Sequence, residues 1–338
     1  MKQKPFTQRL LAKLTPVSAC KKVAIAVSGG CDSVAMLLLL REWCRIKRIE
    51  FCVFHVDHSM RTTSSGDAEW VSRLAHSLDI EFYSKTATKA DHLQNTNLGK
   101  EGWARHFRYS AFAEMMKFSG ADVIATGHNA DDQVETVLMR LMRGCSWQGL
   151  HGIRAETKLN FGGEVLRLWR PVLRLSRAEL EKLLKQSDIK WREDETNSTD
   201  LYLRNKLRHT LIPAMEQIQP GSAAHIASLG ADAYDVQRYL TRNAARFLKK
   251  YRDGAVLIVN RCPAAVLRRE IIRQWLADNA LTNCLSRALI DRIDDLWKTH
   301  ISNKTVCHRH FKVVWSKKRL CLVKNEEVGR GGVGSELD

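Results

Sequence analysis

No two of the nine cysteines form a C-x-x-C pair, and their number is odd; they fall at positions 20, 31, 44, 52, 145, 262, 284, 307 and 321. That spacing argues against a disulfide framework, a zinc ribbon and an iron–sulfur site. A reducing cytoplasm is the simplest compartment. Long apolar runs are missing too. The longest, Val34 to Leu40, is far short of the roughly 20 residues a membrane span requires. Residues 1–16 hold Lys2, Lys4, Arg9 and Lys13 and no acid, but lack the apolar core and small-residue cleavage site of a secretory signal. An organelle presequence is one reading of that stretch, and a short amphipathic leader helix is the plainer one. There is no internal repeat.

What remains is a basic chain of ordinary hydrophobicity. Its 338 residues allow a full-sized catalytic domain and one smaller domain. Lys and Arg number 54 against 37 Asp and Glu, a net charge of +17. The excess is concentrated: residues 240–325 hold 19 Lys/Arg and 6 Asp/Glu, which leaves the rest of the chain at +4. A basic domain beside a near-balanced one suggests that the former holds a polyanion while the latter does chemistry. Basic faces also occur without any partner, so charge alone leaves nucleic acid as one reading.

The periodicities predict strands over 23–27, 49–56, 81–84 and 121–126, with helices over 34–44, 67–79, 100–118 and 131–142. Such alternation is the pattern of an α/β fold with a doubly wound parallel sheet, where ligands bind beyond the carboxyl ends of the strands. Polar clusters at 28–33, 55–61 and 127–132 follow three of the predicted strands. After about residue 200 the pattern becomes that of a smaller, helix-rich α+β domain. Helices are expected over 201–215, 223–250, 263–279 and 284–297, and short strands over 256–259, 305–315 and 320–323. The expected division is a catalytic domain at 1–215, a basic polyanion-binding domain at 216–325 and a disordered tail at 326–338.

The loop Ser28-Gly29-Gly30-Cys31-Asp32-Ser33 joins an apolar strand to a helix. Two glycines let backbone approach an anion, and the helix start presents unpaired N–H groups and the positive end of its dipole. No Lys follows as in a Walker A loop, and the glycines do not fit G-x-G-x-x-G. Asp32 would repel phosphate unless a cation intervened, which suggests Mg²⁺ bridging to a polyphosphate. The alternative is a strand-to-helix turn in which Asp32 favours the helix N-terminus.

The hexapeptide resembles the S-G-G-x-D-S signature of the PP-loop ATP pyrophosphatases, a superfamily with a Rossmann-like fold that splits ATP between its α and β phosphates. Further segments narrow the resemblance: His55-Val-Asp57-His58-Ser-Met60-Arg61, Glu101-Gly-Trp-Ala-Arg105-His-Phe-Arg108-Tyr109, and Gly127-His128-Asn-Ala-Asp131-Asp132-Gln-Val-Glu135. Trp191-Arg-Glu-Asp194-Glu-Thr-Asn197, Tyr202-Leu-Arg204-Asn-Lys-Leu-Arg208 and Leu211-Ile-Pro213 follow. In order and spacing these are similar to the tRNA(Ile)-lysidine synthetase family over about residues 20–215, and more loosely to about 325. The resemblance implies a ligase that uses ATP and Mg²⁺ to adenylate carbon 2 of the first anticodon cytidine of tRNA(Ile) with a CAU anticodon. Attack by L-lysine then gives lysidine, AMP and pyrophosphate. A homodimer is also implied, and no membrane.

Residue by residue, the loop residues Ser28, Gly29, Gly30, Cys31, Asp32 and Ser33, with His55 and Gly127, are expected to bind ATP, Asp32 meeting the metal through the polyphosphate. His128, Asp132 and Glu135 stand at i, i+4 and i+7, so one helix face carries them. Two carboxylates there could hold a lysine ammonium; an acidic helix start complementing the dipole is the alternative. Asp131 faces elsewhere, towards Mg²⁺ or packing. Asp57 could accept a proton from the attacking amine, while for His58 a ligand role and a structural role stand level. Arg105 and Arg108 could grip phosphates or polarise the pyrimidine carbonyl, with Arg108 also expected to meet tRNA. Arg204 and Arg208 read as tRNA backbone contacts or interdomain ties. The catalytic expectation is therefore Asp32, Asp57, Arg105, His128 and Asp132.

Met60 replaces the family's usual Leu, and Cys145 stands where Gly is usual. The rivals are a tRNA thiolase of the same superfamily, which needs paired cysteines, and a non-catalytic RNA-binding protein, which has no need of an intact polar loop set.

Overall fold

The structure, a computed structural model, describes residues 5–60, 64–93, 99–145, 149–192, 203–281, 285–299 and 304–324. Arg61, the stretch from Asp194 to Tyr202 and the tail at 326–338 lie outside the described residues. The chain divides into two compact units, Met1–Tyr234 and Asp235–Asp338. No described helix is long and apolar enough to cross a membrane.

In the first unit, helix α1 (Pro5–Lys13) precedes β1 (Lys22–Ala26), α2 (Cys31–Lys47), β2 (Glu50–Asp57), α3 (Ser64–Ser77) and β3 (Phe82–Thr86). Then come α4 (Lys89–Leu93), α5 (Gly99–Ser119), β4 (Val123–Ala125) and α6 (Ala130–Met142). The sheet order is β3-β2-β1-β4 and all three pairings are parallel. Successive apolar residues in β1 leave Val23, Ala24 and Ile25 inaccessible on both faces, as expected of a central parallel strand. The apolar run of α2 is buried almost all round, with Val34, Ala35, Met36, Leu37, Leu39 and Leu40 inaccessible. At about 1.5–3 kcal/mol per fully buried large apolar side chain, this helix anchors the loop that precedes it.

The periodicity reading does not foresee the next part. Strands β5 (Glu156–Phe161) and β6 (Glu164–Trp169) form a hairpin, and β6 runs parallel to β4. The sheet therefore has six strands, in the order β3-β2-β1-β4-β6-β5. Gly162 and Gly163 both take positive φ, +56° and +82°, as a two-residue hairpin turn requires. Helix α7 (Arg177–Gln186) starts on a capping box of Ser176 and Glu179. After it come α8 (Leu203–Lys206), a π-helical turn (Leu207–Leu211) and α9 (Ile212–Ile218).

Helix α10 (Ser222–Tyr251) begins in the first unit. That unit reaches Tyr234, past the boundary expected at 215. The physical reason is a small core in which Val134, Leu138 and Leu207 pack with Ile212, Met215, Ala223, Ile226 and Ala227. The start of α10 thereby covers the apolar side of α6.

The second unit holds the rest of α10, short strands β7 (Arg252–Asp253) and β8 (Val256–Ile258), α11 (Ala265–Asp278) and α12 (Arg287–Thr299). It ends in β9 (Thr305–Cys307), β10 (Phe311–Ser316) and β11 (Arg319–Lys324). These strands form one antiparallel sheet, β7-β8-β11-β10-β9. Trp275, Trp297, Phe311 and Trp315 fill its core. Arg268 and Asp294, both buried, pair through two hydrogen bonds of 2.6 and 3.1 Å.

Candidate functional site

Strand order reverses at β1, which lies between β2 and β4. The loops leaving β1 and β4 therefore flank the crevice in which such sheets take ligands. Gly30 is extended, and the N–H groups of Ser33 and Val34 both donate to its carbonyl at 3.1 Å. The helix accordingly starts at Cys31, three residues before the expected Val34. Ser33 Oγ donates to the Gly30 carbonyl at 2.9 Å and accepts from the Ser28 N–H at 3.1 Å. Its hydroxyl braces the loop, whereas the sequence reading makes it a ligand donor.

Gly29 sits at φ +96°, a conformation that favours glycine. Its carbonyl accepts from the Arg192 N–H at 2.9 Å, and the Arg192 side chain crosses the loop to pair with Asp67 at 2.9 Å. Nothing in the sequence foretells this strap.

Gly127, in the loop after β4, lies against the phosphate loop itself. A Cβ there would stand 3.2 Å from Ser33 N and 3.3 Å from Asp32 C, both backbone atoms. One site therefore contains the loop at 28–33 and the segment at 127–135. Its electrostatics agree. Burial pushes the Asp32 carboxyl up, Arg177 opposes this, and the charge of Asp132 adds to it. Asp32 Oδ1 is buried without a hydrogen-bond partner among the described residues, an orphaned oxygen that suits a cation.

At the end of β2, His55 Nδ1 donates to the Val27 carbonyl at 2.8 Å, since a carbonyl can only accept. This leaves Nε2 as the acceptor, buried without a partner among the described residues. Asp57, also buried, accepts from the Ser59 N–H at 2.8 Å and holds the turn. His58 lies edge-on to Trp103 and Phe107, 6.1 and 5.9 Å between centroids. Burial, reinforced by Arg108, lowers its pKa to about 4. Arg105 packs over the Tyr109 ring at 5.0 Å.

Asn129 caps α6, accepting from the Asp132 N–H at 3.0 Å while Asp132 Oδ2 accepts from the Asn129 N–H at 3.0 Å. His128 is half-buried, and its Nδ1 lies 3.1 Å from the Thr126 hydroxyl. Desolvation, then Arg170, Arg204, Arg108 and Arg105, lower its pKa to about 3. It is a neutral imidazole among cations. Asp131 accepts from the Arg177 N–H at 2.7 Å, so it packs the start of α7.

The Glu135 side chain is 0% exposed, and both its oxygens are engaged. Arg208 Nε donates to Oε1 at 2.7 Å and Arg204 Nε donates to Oε2. Arg204 also reaches Asp132 at 2.9 Å. The two arginines assigned to tRNA thus neutralise the two carboxylates assigned to lysine, within one unit of the chain. Sequence reasoning misses Arg177 and Arg192. The Ser176/Glu179 capping box is a readable signal for the first; nothing local marks the second.

Comparison with known proteins gives a concordant result. The PP-loop domain family matches residues 3–215. A tRNA(Ile)-lysidine synthase of Parasynechococcus marenigrum is 31% identical over 277 residues, covering 80% of this chain and 79% of the relative. That of Nitratidesulfovibrio vulgaris is 35% identical over 222 residues, with coverages of 65% and 62%. That of Enterococcus faecalis is 33% identical over 218 residues, with coverages of 64% and 46%. The chain spans about half the length of several curated relatives it matches. Among solved structures, the U34-tRNA thiolase NcsA of Methanococcus maripaludis superposes with a TM-score of 0.55 at 18% identity. It covers 69% of this chain and 79% of that one, a likeness of fold alone.

Proposed function

The chain belongs to the PP-loop domain family and, within it, to the tRNA(Ile)-lysidine synthases, and on that premise we propose that it makes lysidine. ATP would adenylate the carbon-2 oxygen of the first anticodon cytidine in a tRNA(Ile) with a CAU anticodon. That oxygen attacks the α-phosphorus, and the bond to pyrophosphate breaks. The amine of L-lysine then attacks carbon 2, loses a proton, and AMP departs with the oxygen.

The observation that carries this reading is the contact of Gly127 with Asp32 and Ser33. It brings a phosphate loop against a carboxylate pair. The loop's backbone N–H groups and the start of α2 suit the polyphosphate. Asp32, with its orphaned oxygen, would hold Mg²⁺ against that polyphosphate, and the ion would offset charge on the leaving pyrophosphate. Neutral His128 can accept or donate a hydrogen bond without adding positive charge. Asp132 and Glu135 would take the lysine ammonium in place of Arg204, the more exposed of the two guanidiniums at 43% against 28% for Arg208. Asp57 remains the proposed proton acceptor at the end of β2, and Arg105 and Arg108 the groups facing the pyrimidine.

The thiolase alternative asks for reactive sulfur. Burial pushes the Cys31, Cys44 and Cys52 thiols up to about 12, so these three, the cysteines of α2 and β2, do not supply it.

The test is incorporation of labelled lysine into a tRNA(Ile) transcript with a CAU anticodon, alongside ATP–pyrophosphate exchange with and without that RNA. Lysine-dependent, RNA-dependent product is expected. Exchange without lysine incorporation would overturn the substrate assignment, and no exchange at all would support a non-catalytic RNA-binding protein.

A further inference from the structure

The second-unit portion of α10 carries a row of cations that nothing in the proposed chemistry uses. Arg238, Arg242 and Arg246 recur every four residues, and Lys249 falls beside them on the same face of the helix. Arg238, Arg242, Arg246 and Lys249 are exposed, and the opposite face is fixed inward by Leu240, Ala244 and Leu248. The direction of the row is therefore set by core packing.

Like charges four residues apart on a helix repel, and little offsets them here. Asp235 lies 3.9 Å from Arg238 at one end of the row. Among the described residues, no hydrogen bond or ion pair engages Arg242 or Arg246. Beside them stands Tyr239, 67% exposed, its ring open to solvent. Asn243 donates to the Tyr239 carbonyl at 2.7 Å, one turn back on the same helix.

We propose that this face of α10 docks the sugar–phosphate backbone of the substrate RNA, with Arg238, Arg242, Arg246 and Lys249 on successive phosphates and Tyr239 stacked on a ribose or base. The inference rests on the RNA reading above and assigns that RNA a surface of the second unit. Three observations support it. Four residues of helix advance about 6 Å, a step comparable to that between consecutive phosphates of one strand. Guanidinium groups match phosphate geometry better than ammonium groups do, and three of the four cations are arginines. An exposed aromatic beside a basic row is the pairing that nucleic-acid surfaces use.

The test is filter binding of full-length tRNA(Ile) transcript by the whole chain across 50–300 mM salt. Removing one cation that neutralises a phosphate should lower the slope of log K against log salt by about 0.7–0.9. Arg242→Gln with Arg246→Gln should lower it by about 1.4–1.8 and weaken binding about tenfold at 150 mM salt. Tyr239→Ala should weaken binding with the slope unchanged, and Tyr239→Phe should restore it. The charge-matched control is Lys312→Gln with Lys324→Gln, two exposed lysines of β10 and β11.

A slope unchanged in the Arg242/Arg246 variant, or lowered equally in the control, would overturn the proposal. A slope that falls only in the α10 variant would support it. This readout does not depend on lysidine formation, so failure of the activity assay and failure of the docking face are separately visible.

Discussion

Removing both Arg204 and Arg208 should destabilise the first unit far more than neutralising the glutamate they hold. Glu135 is inaccessible, and its two oxygens are divided between the two guanidiniums. Arg204→Gln with Arg208→Gln strands a buried carboxylate. Stranding one partner of a buried pair costs about 3–5 kcal/mol. Because the arginines are 43% and 28% exposed, water reaches the vacated space and screens the charge, which reduces the cost to about 2–4 kcal/mol. At about 2–4 °C per kcal/mol for a unit of this size, the melting temperature should fall by about 10 °C. Glu135→Gln leaves two arginines that can turn into solvent, so its loss should be about 1 kcal/mol, or about 3 °C.

The triple variant, with Gln at all three positions, should recover most of the loss, since the penalty lies in the interaction and not in either part. Thermal unfolding of the full chain by calorimetry at pH 7.5 measures all three. The deficit of the double variant should also shrink between pH 7.5 and 5, because an unpaired buried carboxyl folds more easily when protonated. If Glu135→Gln proves as damaging as the double variant, or if neither moves the transition, the ion cluster does not hold this unit together.

Other outcomes are expected at neighbouring positions. Burial raises the Asp32 carboxyl, so its ionisation opposes folding, a penalty that sets in as pH rises past the ordinary carboxylate value and is complete above the raised one. Asp32→Asn should therefore raise the melting temperature of the ligand-free protein by about 2–4 °C and abolish ATP–pyrophosphate exchange. A lower melting temperature with exchange intact would contradict both halves. His58 and His128, lowered to about 4 and about 3, bind protons more readily in the unfolded chain, so stability should fall as pH drops from about 6.5 towards 4. Replacing both with Gln should flatten that decline in a melting series, and an unchanged decline would refute their shifts. Gly127→Ala places a methyl group against the backbone of Asp32 and Ser33, which cannot yield without moving the loop. Exchange should fall at least about tenfold, and wild-type rates would show that the two segments do not touch.

The parts of the fold readable in the sequence are those decided over short distances. β1, the glycine loop and α2 are legible because an apolar strand, two glycines and an apolar helix follow one another directly. The face carrying Asp132 and Glu135 follows from helical spacing alone, although His128 precedes the cap Asn129 and so lies outside the helix expected to carry all three. Between the strands expected over 305–315 and 320–323, Lys317 and Lys318 take positive φ. By contrast, the β5–β6 hairpin carries mixed side chains with no clean alternation. Its place beside β4 comes from pairing between distant segments.

The site divides the same way. Sequence names the loop, the carboxylates and the arginines, and membership of the family names the reaction to test. It does not say that Arg204 and Arg208 meet Glu135 some 70 residues away, that Arg192 straps Gly29, or that Arg177 sits in the field of Asp32. A helix period tells which side chains share a face. Which opposite charge that face meets is settled only when burial removes water and each ion must find a partner. That choice belongs to the tertiary structure.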